Sequence, residues 1–316
     1  MREYILDTSA IRGMRWEDLA QAAERARITV SPLSVYEILC HIDEPVRGAN
    51  STDESFKLRK NHLLRCRLLE IRDDPFLEHA KVVGVDELAH PSRSEDRTLI
   101  PKMWPILEKA SSAADFMSQT LRDDLNIERE LKDVGNRARE VLAEAEKEYE
   151  SEVESVRREL LSSLSFTEAV KLSGLNFVRY VSDKAKALSK SYQRDGAKVT
   201  HEQMVYSTIF YNGYLVARAQ RYMHISGRRV AEKGPLKIDP NDMEDNSILL
   251  HLDMLTPVTL VTEDTGTLDA CDKVLRHLNS ASQELEVPVV VAPRVIDVKT
   301  FKDELGIVSQ EREKDA

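Results

Sequence analysis

The stretch Glu3-Tyr4-Ile5-Leu6-Asp7-Thr8-Ser9 decides how the chain is read. Three consecutive apolar positions stop abruptly at an acid followed by two hydroxyl residues, the pattern of a short buried strand feeding a polar loop. A helix is expected over about 16–26 and a second strand at Arg27-Ile28-Thr29-Val30. Ser31-Pro32 then opens another helix, with Ser31 as N-cap and Pro32 at the first helical position. The same order returns near the other end. Asp239-Pro240 caps a helix running to about Leu255, Pro257-Val258-Thr259-Leu260-Val261-Thr262 is a β-branched strand, a helix covers about 267–282, and Val287-Pro288-Val289-Val290-Val291 is a further strand. Strands alternating with helices predict a doubly wound parallel α/β sheet. Neither end holds enough strands for a domain, so both ends are expected to join one sheet.

The middle is different. From about 50 to 235 the one strand candidate is Lys81-Val82-Val83-Gly84-Val85, whereas 106–168 is dense in Glu, Lys, Arg and Ala. Leu131, Val134, Ala138, Val141 and Ala145 keep helical spacing, and the register then shifts to Tyr149, Val153, Val156 and Leu160, an amphipathic helix suited to a hairpin or short coiled coil. The expected organisation is a discontinuous domain, 1–95 with 234–316, around a mostly α-helical insertion at 96–233.

Composition removes several classes. The chain has 316 residues, 41% hydrophobic and 32% charged, enough for a sizeable core with a solvated surface. Its formal charge of −10 argues against a protein that coats nucleic acid wholesale. Apolar runs reach five or six residues, against about 20 for a membrane-spanning helix. The start Met1-Arg2-Glu3-Tyr4 carries no signal-peptide stretch, and the three cysteines (Cys40, Cys66, Cys271) form no Cys-x-x-Cys pair, so a cytoplasmic protein without disulfides is expected. No G-x-G-x-x-G or P-loop spacing supports a dinucleotide or ATP site. The eight histidines form no metal-ligand spacing; His41, His224 and His251 are isolated.

The acids carry the chemistry. Asp7 follows the first strand, and Asp264 lies two residues past Thr262 in Thr262-Glu263-Asp264-Thr265-Gly266. In an open parallel sheet, functional groups gather beyond the carboxyl ends of the strands; the alternative for each acid is to cap the helix that follows. Asp245 heads the stripe Ile248, Leu249, Leu252, which turns it toward the sheet, where an acid needs a cation or hydrogen bonds. Asp242 shares that face one turn earlier and could instead complement the helix dipole. Glu37, in Ser34-Val35-Tyr36-Glu37-Ile38-Leu39, lies opposite the stripe Val35, Ile38, Leu39, Ile42, so its direction depends on whether that helix is covered on both faces.

Taken in order, a strand-end Asp, a second-helix Glu, a helix-start Asp and a strand-end Asp, the sequence resembles the PIN-domain nucleases. The match lies in Leu6-Asp7-Thr8-Ser9, in Glu37 after Ser31-Pro32-Leu33-Ser34, in Asp245, and in Thr262-Glu263-Asp264, and it covers about 1–90 and 236–296. The long middle departs from the compact PIN pattern, and Gly266-Thr267-Leu268 stands where many members have an aromatic residue. Clustered carboxylates favour hard divalent cations, Mg²⁺ or Mn²⁺. The resemblance implies metal-dependent endoribonuclease activity giving 5′-phosphate and 3′-hydroxyl ends, with Asp7, Glu37, Asp245 and Asp264, joined by Asp242, as direct or water-mediated ligands. Ser9 and Thr262 are candidates to position water or phosphate, or to serve as turn hydrogen bonds. An aspartyl-phosphate enzyme of the haloacid-dehalogenase type would carry an Asp where Ser9 stands.

The substrate argument lies in Lys171–Lys233, where 12 Lys/Arg face four Asp/Glu, a local +8 that leaves −18 over the rest. The same stretch holds eight of 18 aromatics. Cations pair with phosphates and aromatic faces stack on unpaired bases, so RNA is the expected partner. Lys184, Lys186, Lys190, Arg194, Lys198, Arg228 and Arg229 are the candidate RNA contacts; Tyr206, Phe210, Tyr214 and Ala217 keep the spacing of a core face. This basic segment could equally dock on the acidic helix 121–160, within the chain or across a homodimer. An RNA-degrading toxin, a defence effector, with or without an inhibitor or regulatory protein, and an RNA-processing enzyme all fit. The rival from another class is a non-catalytic RNA-binding or assembly protein on a PIN-like fold.

Overall fold

The computed structural model describes residues 2–73, 75, 96–119, 128–194, 201–239, 242–252, 258–280 and 294–307. Among the described residues five strands form one all-parallel sheet: β1 (Glu3–Leu6), β2 (Arg27–Val30), β3 (Glu70–Ile71), β4 (Val258–Val261) and β5 (Arg294–Ile296), in the spatial order β3-β2-β1-β4-β5. Both chain ends therefore enter the same sheet, with β1 central. Leu6 is paired with Val30 on one side and with Val261 on the other, so Asp7 and the loop after β4 leave the sheet at the same level. The order reverses between β1 and β4, which makes this edge the switch point, where such sheets open a crevice.

Tyr4, Ile5, Leu6, Val30, Leu260 and Val261 are fully buried, as continuous apolar strands between helix layers require. The strands are short, and side chains lock their ends. Arg27 pairs with Glu3 (2.9 Å) and Glu70 (2.7 Å) across β2, β1 and β3, and Thr29 Oγ1 donates to the Tyr4 carbonyl (3.1 Å).

The helices of the amino-terminal part are α1 (Thr8–Gly13), α2 (Trp16–Arg25), α3 (Pro32–Cys40) and α4 (Thr52–Cys66). Between β3 and β4 come α5 (Asp96–Lys109), α6 (Ala113–Gln119), α7 (Glu128–Ser163), α8 (Phe166–Val170), α9 (Gly174–Arg194), α10 (His201–Lys233) and α11 (Asp242–Ile248). The carboxyl-terminal helices are α12 (Thr265–Ser280) and α13 (Val298–Leu305). Tyr149, Val153, Val156 and Leu160 of α7 are buried, and α7 packs on α10 and α3. The hydrophobic core runs without a break from the sheet into α7, α9 and α10. At Gly213 of α10 an added Cβ would stand 2.7 Å from Val274 Cγ1 of α12, so the absence of a side chain sets how closely these helices approach. Gly227 interrupts α10 at φ 74°, ψ 162°, a backbone region that only glycine enters readily.

Several local expectations shift. The helix expected to run to about Leu255 is α11 alone, followed by a 3₁₀ turn at Leu249–His251. The 106–168 region is divided among α5 to α8. Ser31 holds the N-cap position of α3 without bonding the helix, because its hydroxyl meets buried His251 Nε2 (3.2 Å). Strands β3 and β5, of two and three residues, were not anticipated. The expected strands Lys81–Val85 and Val287–Val291 lie outside the described residues. Among the described residues no helix is long and apolar enough to cross a membrane. Cys40, Cys66 and Cys271 are free thiols.

Candidate functional site

The carboxyl ends of β1 and β4 open onto a cavity of about 390 Å³. Its wall includes Asp7, Glu37, Asp242, Asp245 and Asp264, so the acids singled out from the two distant ends of the sequence meet in one place. Asp239, Arg12, Ser9, Thr8 and Ser34 complete its polar lining.

Asp7 is buried and does two things. Its Oδ1 accepts the Ala10 amide (2.7 Å), capping α1, and both its oxygens accept from Ser9 Oγ (2.9 Å each). Ser9 Oγ in turn accepts the Glu263 amide (2.7 Å) and touches Thr262 Oγ1 (3.2 Å), which accepts the Asp264 amide (3.0 Å). A hydroxyl chain thus ties the strand-end loops of β1 and β4 together. Asp264 Oδ1 takes the Thr267 amide (2.6 Å) in the i to i+3 pattern of a helix cap. For Asp7 and Asp264 capping and cavity lining coexist, because one carboxylate has more acceptor positions than a cap uses.

Helix α3 is covered on both faces: Leu33, Val35, Tyr36, Ile38 and Leu39 are all buried. Glu37 therefore stands in a partly closed space, where Arg12 meets it at 3.0 Å. Asp245 and Asp242 share a buried arginine absent from the expected site. Arg218, 1% exposed, places Nη2 at 3.3 Å from Asp242 Oδ1 and 3.3 Å from Asp245 Oδ2. Its Nε donates to Tyr214 Oη (2.7 Å) and its Nη2 to Thr267 Oγ1 (3.2 Å). Thr267 Oγ1 also donates to Asp245, and Tyr222 donates to Asp242.

Burial pushes the Asp245 carboxyl up to about 8; the Thr267 hydrogen bond and Arg218 oppose this, while the charges of Asp7 and Asp264 add to it. Burial likewise pushes Asp7 up to about 6, against the hydrogen bonds from Thr262, Ala10 and Ser9 and with the charge of Glu37. In both, withdrawal from water is the larger cause and the neighbouring acids the smaller one. As the side chains stand, however, no group of three His, Cys, Asp or Glu among the described residues is disposed to hold one metal ion together. Glu37 leans to Arg12, and Asp242 and Asp245 lean to Arg218.

The expected RNA contacts lie elsewhere. Lys184 pairs with Glu159 of α7 (3.1 Å), part of a docking of the basic segment on the acidic helix to which Tyr180–Glu159 (2.8 Å) and Tyr211–Glu152 (2.6 Å) also belong. Arg228 pairs with Glu232 (2.7 Å) beyond the Gly227 break, Arg229 is exposed and Lys186 half-buried, and among the described residues none of the four lines the acid cavity. The side chains of Lys190 and Arg194, and all of Lys198, lie outside the described residues. Phe177, Phe210, Tyr214 and Tyr222 are core residues and present no face for stacking.

Arg218 escaped the sequence reading although a signal existed: in Tyr214-Leu215-Val216-Ala217-Arg218-Ala219 it is a lone cation within an apolar run, which should be buried and therefore paired. Gly266 gains its reason here too. A Cβ at that position would meet Arg221 Nη1 at 2.6 Å, Arg218 Nη1 at 3.2 Å and Asp264 Oδ1 at 3.2 Å, so a side chain there would have to displace the exposed Arg221 and press on the buried Arg218. No family model, curated protein or solved structure matches the chain.

Proposed function

We propose that this chain is a metal-dependent endoribonuclease with a PIN-like fold. One observation carries the reading: six carboxylates, Asp7 just after β1, Glu37 of α3, Asp239 ahead of α11, Asp242 and Asp245 of α11 and Asp264 of the β4–α12 loop, bound a single polar cavity at the switch point of a parallel sheet. Their chemistry fits Mg²⁺ or Mn²⁺, since the donors are hard oxygens and the lining holds more acids than cations. Asp7, Glu37, Asp245 and Asp264, with Asp242, would hold the ions directly or through water. Bound there, they supply an activated water and stabilise the departing oxygen of a phosphodiester. In the hydrolysis proposed, a water oxygen bonds to phosphorus as the bond to the 3′ oxygen breaks, giving 5′-phosphate and 3′-hydroxyl ends.

The chain's own part is orientation. Ser9 and the Ala10 amide fix Asp7, and the Thr267 amide fixes Asp264. Arg218 steadies Asp242 and Asp245 from behind. Because Ser9 and Thr262 are engaged in the loop-to-loop hydrogen bonds, their role in this reading is to hold ligands rather than substrate. A toxin, a defence effector and an RNA-processing enzyme remain compatible roles.

The test incubates total RNA with wild type and Asp7→Asn, with and without Mn²⁺, and maps the ends. Cleavage by wild type only with metal, lost in the variant, is the expected result; equal cutting by both ends the assignment. A second reading rests on the arginines: Arg12 and Arg218 already partner Glu37, Asp242 and Asp245, as they would in a non-catalytic RNA-binding protein in which guanidinium groups stand in for metal. Absence of any Mn²⁺-induced rise in melting temperature favours it.

A further inference from the structure

Behind the acid cavity, across Gly266, lies a second cavity of about 400 Å³ between α8, α10 and the start of α12. Its charge is opposite. Arg218, Arg221, His224 and Lys273 line it, against the single acid Asp269. Arg218 spends Nε and Nη2 on Tyr214, Thr267 and the two α11 acids, but its buried Nη1 has no hydrogen-bond partner. That atom and Nη1 of exposed Arg221 both crowd the Cα face of Gly266. Among the described residues Arg221 makes no hydrogen bond or ion pair of its own. Lys273, held by Gln220 Oε1 at 2.8 Å, sits in a site whose burial lowers its proton affinity.

Two guanidinium groups converge there, exposed Arg221 with no acid of its own and Arg218 with its acids on Nη2 but its buried Nη1 orphaned, and an anion between them would satisfy both. The residues suit a tetrahedral oxyanion: Arg gives forked donors and Lys a point charge. Gly266 is the shared wall, because Asp264 Oδ1 and Arg218 Nη1 each lie 3.2 Å from the same missing Cβ. We propose that this cavity is a phosphate subsite that grips the RNA strand beside the acid cavity. The proposal rests on the ribonuclease reading and deepens it: the substrate would be held by a backbone phosphate next to the one cut, without reading its base.

The experiment keeps the two ideas apart by measuring binding in EDTA, where neither metal nor cleavage enters. Probes are sodium phosphate, followed by melting temperature against equal ionic strength of sodium chloride, and a fluorescent single-stranded oligoribonucleotide titrated at several salt concentrations. Variants are Arg221→Gln and Lys273→Gln, chosen over Arg218 because neither residue is fully buried. Phosphate should raise the wild-type melting temperature, with the effect largely lost in both variants. Oligoribonucleotide affinity should fall by about tenfold, with a salt slope about one smaller per cation removed. Wild type indifferent to phosphate, or variants that bind both probes like wild type, overturns the subsite. Weaker phosphate binding with unchanged oligoribonucleotide binding also overturns it, because the cavity would then serve a free anion. Cleavage with Mn²⁺ is scored separately: no cutting by wild type removes the nuclease reading and leaves these binding outcomes as they fall, whereas cutting with no phosphate effect does the reverse.

Discussion

Replacing Asp245 by Asn should stabilise the metal-free protein at alkaline pH, the opposite of what loss of two polar contacts would suggest. The ordinary aspartate value is 3.8, and burial raises Asp245 to about 8 in the folded chain. Between those values the unfolded chain has released its proton and the folded chain keeps it, so stability falls as pH rises and levels off above 8. The slope approaches about 1.4 kcal/mol per pH unit, which gives roughly 1–2 kcal/mol between pH 6.5 and 8. Asp7, raised to about 6, is largely ionised over this interval and adds little. His62 acts with the opposite sign, because burial lowers it to about 4, and stability gains from it with rising pH up to the ordinary value of 6.5. The clean window therefore lies above 6.5. Asn at 245 keeps a side-chain oxygen for Thr267 and Arg218, while Asp242 still balances the guanidinium at 3.3 Å. Urea midpoints in EDTA at pH 6.5, 7.2 and 8, for wild type and Asp245→Asn, decide the matter. The wild-type midpoint should decline and the variant stay flatter and end higher; a wild-type midpoint that holds or rises, with the variant weaker at pH 8, refutes the reasoning.

Mn²⁺ at pH 8 should raise the wild-type melting temperature, and the double variant Asp7→Asn, Asp264→Asn should lose that response, as read by thermal shift. Arg218→Met should destabilise by about 3–5 kcal/mol, because it leaves two half-buried acids without their cation, and by less at pH 6, where Asp245 takes up a proton instead; chemical denaturation at both pH values measures this. Gly213→Ala should cost about 1–3 kcal/mol despite its better helix propensity, because its Cβ would stand 2.7 Å from Val274; added to a Val274→Ala background the same change should cost clearly less.

The parallel sheet and its assembly from both chain ends were legible because β1, β2 and β4 are short segments of apolar and β-branched residues bounded by polar punctuation. Strands β3 and β5 were not, since two or three residues carry no periodicity and owe their pairing to neighbours already in place. The acids could be picked out because an unpaired carboxylate at a strand end or on an apolar stripe is anomalous within a few residues of sequence. Glu37 could not be oriented that way. Its direction follows from α3 being covered on both faces, a tertiary fact. Arg12 and Arg218 were invisible as partners for a related reason: an ion pair between residues 25 or 27 positions apart leaves no mark at either one.

The placement of Arg218 changes how the helical middle relates to the sheet. The acids come from the sheet edge and from α3 and α11, but the cation that balances two of them is carried by α10, and the close approach of α10 to α12 depends on Gly213. Removing the helices between β3 and α11 would strip Asp242 and Asp245 of Arg218, the cation they share, and raise the proton affinity of Asp245 further. A segment that only decorated the sheet could be deleted at the cost of exposed core; this one also sets the charge of the cavity. The same helix offers Arg221 to the opposite side of Gly266. Acid and base are thus segregated by a single glycine at the start of α12, and each cavity owes its sign to which side of that residue the guanidinium groups occupy.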